Sequence, residues 1–302
     1  MTDPHALPEA ALAAYLQAHV AGFRGPLTAS KFSGGQSNPT YLVEAASGRY
    51  VLRRKPPGRL LASAHAIDRE FRVMQALHGG SVPVAKPLHL CTDDAVLGTM
   101  FYLMGHIEGR VLWDPALPDI ATAQRADYYA ELVRVLAAIH AVDVEACGLS
   151  GHGRPGNYFA RQLARWTEQY AASATDPQPA MDALIAALPA RCPADDGSVA
   201  LVHGDFRIDN LIWHPEQPRI LAVVDWELST LGHPLADLGY FCMALRLPRG
   251  GVIPGLAGAD RAALGIPDEP AILAAYAAAG GRVDLSDWPF VLAFSFFRLA
   301  AI

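Results

Sequence analysis

The chain is short of cysteine, of basic charge and of long apolar runs, and each shortage closes off a class of protein. Its four cysteines, Cys91, Cys147, Cys192 and Cys242, lie far apart along 302 residues. None has the paired spacing of a zinc site or a disulfide framework, so reduced thiols in a cytoplasmic setting are expected. Eleven histidines include no His-x-x-x-His pair, which argues against a metal hydrolase. Lys and Arg number 24 against 30 Asp and Glu, a net charge of −6. A nucleic-acid partner calls for a basic face, so none is expected. No apolar run approaches the ~20 residues of a membrane-spanning helix. The C-terminal stretch, residues 291–302, is interrupted by Arg298. The first residues lack the basic and apolar regions of a secretory signal, so no membrane partner is expected. A homo-oligomer is open but not indicated.

What is present is enough chain for one large or two modest domains. The composition is globular, 52% hydrophobic, much of it alanine. The chain is organised around His203-Gly204-Asp205-Phe206-Arg207-Ile208-Asp209-Asn210, with an apolar run on either side. Asp205 and Asn210 stand five apart, the spacing of a kinase catalytic loop, where the Asp takes a hydroxyl proton and the Asn holds magnesium. A second β-rich run, residues 220–224, ends on Asp225. Turn residues at 214–218 separate the two runs. If the runs pair as a hairpin, Asn210 opens one strand and Asp225 closes the other, at one end of the ribbon. Two oxygen ligands beside an aspartate suit Mg²⁺, which completes its shell with water and phosphate. Any one of these acids alone would read as a turn residue or a helix cap. It is the set, at these offsets, that points to phosphate transfer.

These residues, with Asp225-Trp226-Glu227, resemble the aminoglycoside phosphotransferase family, relatives of the protein kinases. The longer string from Asp225 to Gly232, and residues 32–41, are most similar to the phosphotransferase domain fused to some acyl-CoA dehydrogenases. The likeness runs from about residue 32 to 240 and implies an α+β, bilobal, protein-kinase-like fold. A small antiparallel-sheet N-lobe would take residues 1–104, and a mainly helical C-lobe residues 105–302. It also implies ATP as co-substrate, Mg²⁺ as cofactor and a small-molecule alcohol as acceptor. Asp237 matches the family aspartate that fixes the catalytic-loop backbone. An acid usually stands where this chain has His233.

Several other segments take their meaning from that resemblance. Ser33, Gly34, Gly35, Ser37 and Asn38 form a glycine turn with short donors, expected over the nucleotide phosphates. The strand at residues 49–55 follows, where kinases place a phosphate-holding Lys. Here the matching position is Arg53, with Lys55 two residues on and facing the same way. Residues 65–77 read as a helix with Ile67, Phe71, Met74 and Leu77 on one face. Glu70 flanks that face, placed to pair with the strand cation. Strands are expected at 88–91 and 99–104. Met104 and His106 then mark a hinge whose exposed backbone would read an adenine edge. Beyond it the pattern is helical. Thr122 could cap a helix with Tyr128, Leu132, Val135, Leu136 and Ile139 inward. Further helices are expected at 8–20, 157–170 and 180–188, and another beginning at Gly232. Residues 246–254 form a Gly/Pro-rich loop of the kind that covers a substrate. The last apolar helical pattern reaches Ile302 without a cap, so a longer natural chain is expected.

The expected reaction moves the γ-phosphoryl group of ATP to a hydroxyl, with Asp205 taking the proton and His203 orienting the loop. Arg207 would steady the transferring group or pack beside Asp225. For the acceptor, Arg154, Arg161, Arg165, Arg246 and Arg249 favour an anionic or acyl alcohol, and the resemblance implies a hydroxyacyl compound. Alternatives are an aminoglycoside-type resistance kinase, or a nucleotide-binding regulator without catalysis. The Arg at position 53 is the one feature for the regulator.

Overall fold

A computed structural model of the chain describes residues 6–32, 38–56, 66–281 and 284–302. The segments expected over the phosphates, Ser33, Gly34, Gly35 and Ser37, lie outside the described residues. The chain divides into two compact units: Met1–Glu108 with Leu221–Glu227, and Gly109–Ile220 with Leu228–Ile302. The first unit thus extends past Met104 and takes in seven residues from beyond the catalytic stretch, which a single boundary in sequence does not anticipate.

The first unit contains α1 (Glu9–His19), β1 (Leu27–Lys31), β2 (Thr40–Ala45), β3 (Gly48–Arg54), α2 (Ile67–Leu77), β4 (Pro87–Cys91), α3 (Asp94–Leu97) and β5 (Phe101–Gly105). The strands form one antiparallel sheet in the order β1-β2-β3-β5-β4. Alternation along β2 turns Tyr41 and Val43 inward, where Leu12 and Leu16 of α1 meet them with Leu52 and Leu103. On α2 the expected stripe of Ile67, Phe71, Met74 and Leu77 is buried, and Glu70 is buried with it. A buried carboxylate on an apolar helix face needs a partner, and the strand beneath supplies one. The short helix α3 has no apolar period to reveal it. Its start is set by Asp93, whose carboxylate accepts from the Ala95 amide at 2.9 Å.

The second unit is mainly helical. It holds β6 (Arg110–Val111), α4 (Arg125–His140), α5 (Tyr158–Ser173), α6 (Pro179–Ala187), β7 (Ala200–Val202) and β8 (Leu211–Trp213). After these come β9 (Ile220–Val223), which begins here and runs into the first unit, β10 (Thr230–Gly232), α7 (Leu235–Ala244), α8 (Glu269–Ala278) and α9 (Trp288–Ala300). All five residues of the α4 stripe are buried. Thr122 opens a 3-10 turn instead of capping α4 through its side chain. Gly232 likewise ends a strand: β10 pairs antiparallel with β7, and the helix waits until Leu235. A Cβ on Gly232 would come within 2.4 Å of the Tyr158 ring, so close packing explains that glycine. α7 is buried along its whole length, from Leu235 to Ala244, which suits an element at the centre of its unit.

Candidate active site

Within the first unit, Arg53 collects three acids from two places in the sequence. Its Nε lies 3.1 Å from Glu70 Oε2, and its terminal nitrogen 2.6 Å from Asp225 Oδ1 and 3.6 Å from Glu227 Oε2. The planar guanidinium engages Glu70 and Asp225 through different nitrogens, which the single nitrogen of a lysine could not do. On β5, burial and then the nearby Glu70 charge push the Tyr102 hydroxyl up. Burial pushes Glu70 up to about 7, against the pull of the Arg53 charge. Burial alone would lower Arg53, but Glu70, Tyr102, Asp225 and Glu227 hold it well above its ordinary value. Asp225 itself has a φ of 67°, the left-handed region that costs a non-glycine residue roughly 1–2 kcal/mol. Asn38 is buried and donates to Glu227 Oε2 at 3.1 Å.

Lys55 stands outside this cluster. It follows the end of β3, half-buried, its backbone amide donating to the Met100 carbonyl. Met104 lies inside β5, opposite Val51 on one side and Pro87 on the other. The His106 amide donates to the Arg49 carbonyl at 3.3 Å. That donor is therefore engaged within the sheet rather than exposed for an adenine edge.

Within the second unit the catalytic stretch is held from behind. Asp237, fully buried at the start of α7, accepts the His203 amide at 2.6 Å and the Gly204 amide at 2.8 Å, one on each carboxylate oxygen. His140 Nε2 lies 3.4 Å from Asp237, and its Nδ1 is 2.6 Å from the Tyr276 hydroxyl. Burial would raise the Asp237 carboxyl. The bond and charge of His140, the charge of His203 and the Gly204 amide outweigh it and hold the group below its usual value. Gly204 has a φ of 86°, and a Cβ there would meet the Leu228 carbonyl oxygen at 2.6 Å. Only glycine fits that position.

The loop's own side chains converge on Asp205. Asn210, at the end of a 3-10 turn, donates its amide nitrogen to the Asp205 carbonyl at 2.9 Å and to Oδ2 at 3.0 Å. Its amide oxygen is thereby turned away from the aspartate. His203 is buried, with Nδ1 accepting the Asp205 amide at 3.2 Å. Arg207 lies 3.1 Å from Asp205 Oδ1 and 3.1 Å from Asp209 Oδ2, so its charge is shared by two acids of its own loop. On α7, burial and then the nearby Asp205 charge push the Tyr240 hydroxyl up.

Two pockets in the second unit differ in kind. The larger, about 120 Å³, is lined by Asp195, Asp196, Asp284 and Asp287 with His233, Tyr158 and Phe159, and touches no residue of the 203–210 stretch. His233, where the family usually has an acid, sits 3.5 Å from Asp196. The smaller, about 20 Å³, includes Arg207, Ile208 and Asp209 in its wall, and is otherwise apolar, with Trp113, Leu132, Phe241 and Ile253. The arginines expected to favour an anionic acceptor are largely engaged in structure. Arg246 makes a two-pronged pair with Glu269 at 2.9 and 2.8 Å, and Arg161 donates to the carbonyls of Arg154 and Pro155. Arg165 lies over the Trp166 ring at 5.1 Å.

Sequence reasoning passed over Glu227, Tyr102, Tyr240, His140 and Arg298. Glu227 was visible as the third member of Asp225-Trp226-Glu227. Arg298 was visible as the charge that interrupts an apolar run. Tyr102, Tyr240 and His140 sit within apolar helical or strand patterns and carry no signal that separates them from core.

The comparisons with known proteins agree with this geometry. The family model described as "Phosphotransferase enzyme family", APH, matches residues 28–294. Acyl-CoA dehydrogenase family member 10 of Mus musculus is 46% identical over 299 residues, covering 98% of this chain but 28% of its own length. The chain therefore spans under a third of that relative. A crystal structure of a putative aminoglycoside phosphotransferase from Ralstonia eutropha is 50% identical, with a TM-score of 0.87, over 97% of this chain and 86% of that one. Aminoglycoside phosphotransferase APH(3'')-Id from Streptomyces rimosus, solved with ADP and streptomycin, shares the fold at 16% identity and a TM-score of 0.60, over 89% and 92% of the two chains. The fold is thus kinase-like, a five-stranded antiparallel sheet followed by a mainly helical region. By the extent of the family match and the identity to these relatives, the chain belongs to the APH phosphotransferase family, whose members are ATP-dependent small-molecule kinases.

Proposed function

We propose that this chain transfers the γ-phosphoryl group of ATP to a hydroxyl of a small molecule, and that the acceptor has an apolar, acyl-type body. The observation that carries the reading is the Asp205–Asn210 pair, in which the amide nitrogen faces the aspartate and leaves the amide oxygen as a hard donor for a cation. Asp205 takes the acceptor proton, and His203 fixes the loop backbone beside it. Arg53 and Asn38 are assigned to the nucleotide phosphates, with Ser33, Gly34, Gly35 and Ser37 by family resemblance. Glu70 positions Arg53.

Asn210 and Asp225 are assigned to Mg²⁺. The donor set fits that ion. Each offers an oxygen, and Asp225 keeps Oδ2 beside the Oδ1 engaged by Arg53. When bound, the ion would neutralise charge on the phosphate oxygens. The chain's own contribution is placement and charge, since the transition state of phosphoryl transfer is loose.

For the acceptor, the wall shared with the catalytic loop supports the reading. The pocket that includes Arg207 and Asp209 offers no carboxylate beyond Asp209, itself paired with Arg207. A polycationic aminoglycoside would leave its ammonium groups uncompensated there. The apolar wall is instead compatible with the acyl body of a hydroxyacyl compound, free or as a thioester. The four aspartates of the larger pocket are the feature that favours an aminoglycoside-type kinase. The wall of that pocket includes no residue of the 203–210 stretch, which weighs against it.

The test is ATP consumption with a panel of straight-chain hydroxy acids, their CoA thioesters and aminoglycosides, in wild type, Asp205→Asn and Asp225→Asn. Asp205→Asn should keep Mg-ATP binding and lose turnover by roughly 10²–10⁴. Asp225→Asn should weaken Mg-ATP binding itself. Equal consumption by wild type and Asp205→Asn would leave a nucleotide-binding regulator as the better reading.

A further inference from the structure

The slot beside the catalytic stretch has a wall whose polar groups are already engaged. Leu132 on α4, Phe241 and Ala244 on α7, Ile208 and Ile253 line it together with Arg207 and Asp209. Those two charges pair with each other at 3.1 Å, and Arg207 also reaches Asp205 Oδ1 at 3.1 Å. The slot thus adjoins the proposed base through one side chain. Tyr129 lines it too, but its hydroxyl donates to the Pro115 carbonyl at 2.7 Å. A space of about 20 Å³ holds roughly one or two groups the size of a water or a methyl. It fits the tip of an apolar body, not its length.

A surface for the length stands at the same wall. Trp113 lines the slot and is 66% exposed, an uncommon place for an indole. Its segment is nevertheless pinned. The Asp114 carboxylate accepts the Ala116 amide at 2.8 Å, and Tyr129 holds Pro115. The 246–254 loop, which supplies Ile253 and Pro254, is closed at its base. There the Gly255 amide donates to the Pro248 carbonyl at 3.0 Å, and the Leu256 amide to the Leu245 carbonyl at 2.9 Å. Val252, next to Ile253, is fully exposed. Apolar side chains left open on pinned backbone mark a binding surface, and they lose little freedom when a ligand covers them.

We propose that the slot is the end-group pocket of the acceptor site. It takes an apolar terminus, Trp113 carries the body between, and the two decide which acceptors reach Asp205. The proposal rests on the phosphotransfer reading, with Asp205 as base and an acyl-type acceptor. A straight chain ending in a methyl group satisfies this wall. A terminal carboxylate would lose its water and find Arg207 and Asp209 already paired.

The experiment measures ATP-dependent phosphorylation of straight-chain hydroxyacyl-CoA thioesters of increasing length, each ending in a methyl or a carboxylate. The full chain is used as wild type, Ile253→Ala, Ala244→Leu and Trp113→Ala, with thermal melts to confirm folding. Wild type should show a length optimum, with kcat/KM falling roughly 10-fold for a methylene beyond it, and about 10²-fold or more for the terminal carboxylate. Ile253→Ala should move the optimum to longer chains and Ala244→Leu to shorter ones. Trp113→Ala should raise the acceptor KM roughly tenfold with kcat within about twofold, the mark of lost uniform binding. A merely structural role would lower all lengths alike. If Ala244→Leu does not fold, Ile253→Ala and Trp113→Ala decide. One length optimum shared by wild type and the folded slot variants would make the slot a packing void and overturn the proposal alone. No thioester phosphorylated by wild type would sink the acyl-acceptor reading and the proposal together, whatever else the enzyme phosphorylates.

Discussion

Replacing Asp237 by Asn removes one charge and little volume, and its effect can be worked out bond by bond. The carboxylate accepts two backbone amides, from His203 and Gly204, one on each oxygen. Asn offers one oxygen, so one amide keeps an acceptor, now uncharged, and the other faces an NH₂ group. Hydrogen bonds to a charged group contribute about 1.5–3 kcal/mol net, and a buried donor left without an acceptor costs about 1–3 kcal/mol. The expected loss is therefore about 2–5 kcal/mol at neutral pH, together with faster hydrogen exchange at the amides of His203 and Gly204. Acidity gives an independent check. The folded Asp237 carboxyl titrates below its unfolded value near 3.8, so its stabilisation is complete above that value and fades as pH falls through the lower folded one. The gap between wild type and Asp237→Asn should narrow only in that acidic window. Urea unfolding and amide exchange across pH measure both. If the variant unfolds at the wild-type urea concentration with both amides equally protected, the account of this loop is wrong.

Two further substitutions probe the same clusters. Gly204→Ala should destabilise by roughly 2–4 kcal/mol, combining left-handed strain with the contact at Leu228, and should abolish turnover by displacing Asp205; a thermal melt and an ATP assay report the two effects separately. Arg53→Lys should lower the stability of the first unit by roughly 1–3 kcal/mol and raise the KM for ATP, because a compact ammonium does not reproduce the planar fork that meets Glu70 at 3.1 Å through one nitrogen and Asp225 at 2.6 Å through another; an unchanged melt and KM would refute that geometry.

How far the sequence could be read depended on whether a residue's partner was near in sequence or carried a pattern. The sheet-then-helices layout followed from the family resemblance, and the stripes on α2 and α4, read from periodicity, are buried where the spacing puts them. The 203–210 stretch was legible because its partners are its own members, as Asn210 shows against Asp205. Arg53 was separable from Lys55 only with coordinates, since β3 stops at Arg54 and Glu70 decides which cation is met. Arg207 has one backbone neighbourhood and several conceivable partners; two acids of its own loop took it. Thr122 and Gly232 were misjudged because a cap residue and a glycine mark a boundary without saying what kind. The anionic-pocket argument failed for Arg246, whose acid, Glu269, lies 23 residues on.

The return of Leu221–Glu227 to the first unit has a consequence for how the protein is made. Emerging from the ribosome, the N-terminal sheet has Arg53 and Glu70 long before it has Asp225 and Glu227. Until residue 227 is out, a guanidinium tucked into that sheet has one acid where the finished unit has three. The early sheet should therefore mature late, and a fragment cut after residue 108 should behave as an incomplete object, not as a freestanding nucleotide-binding module.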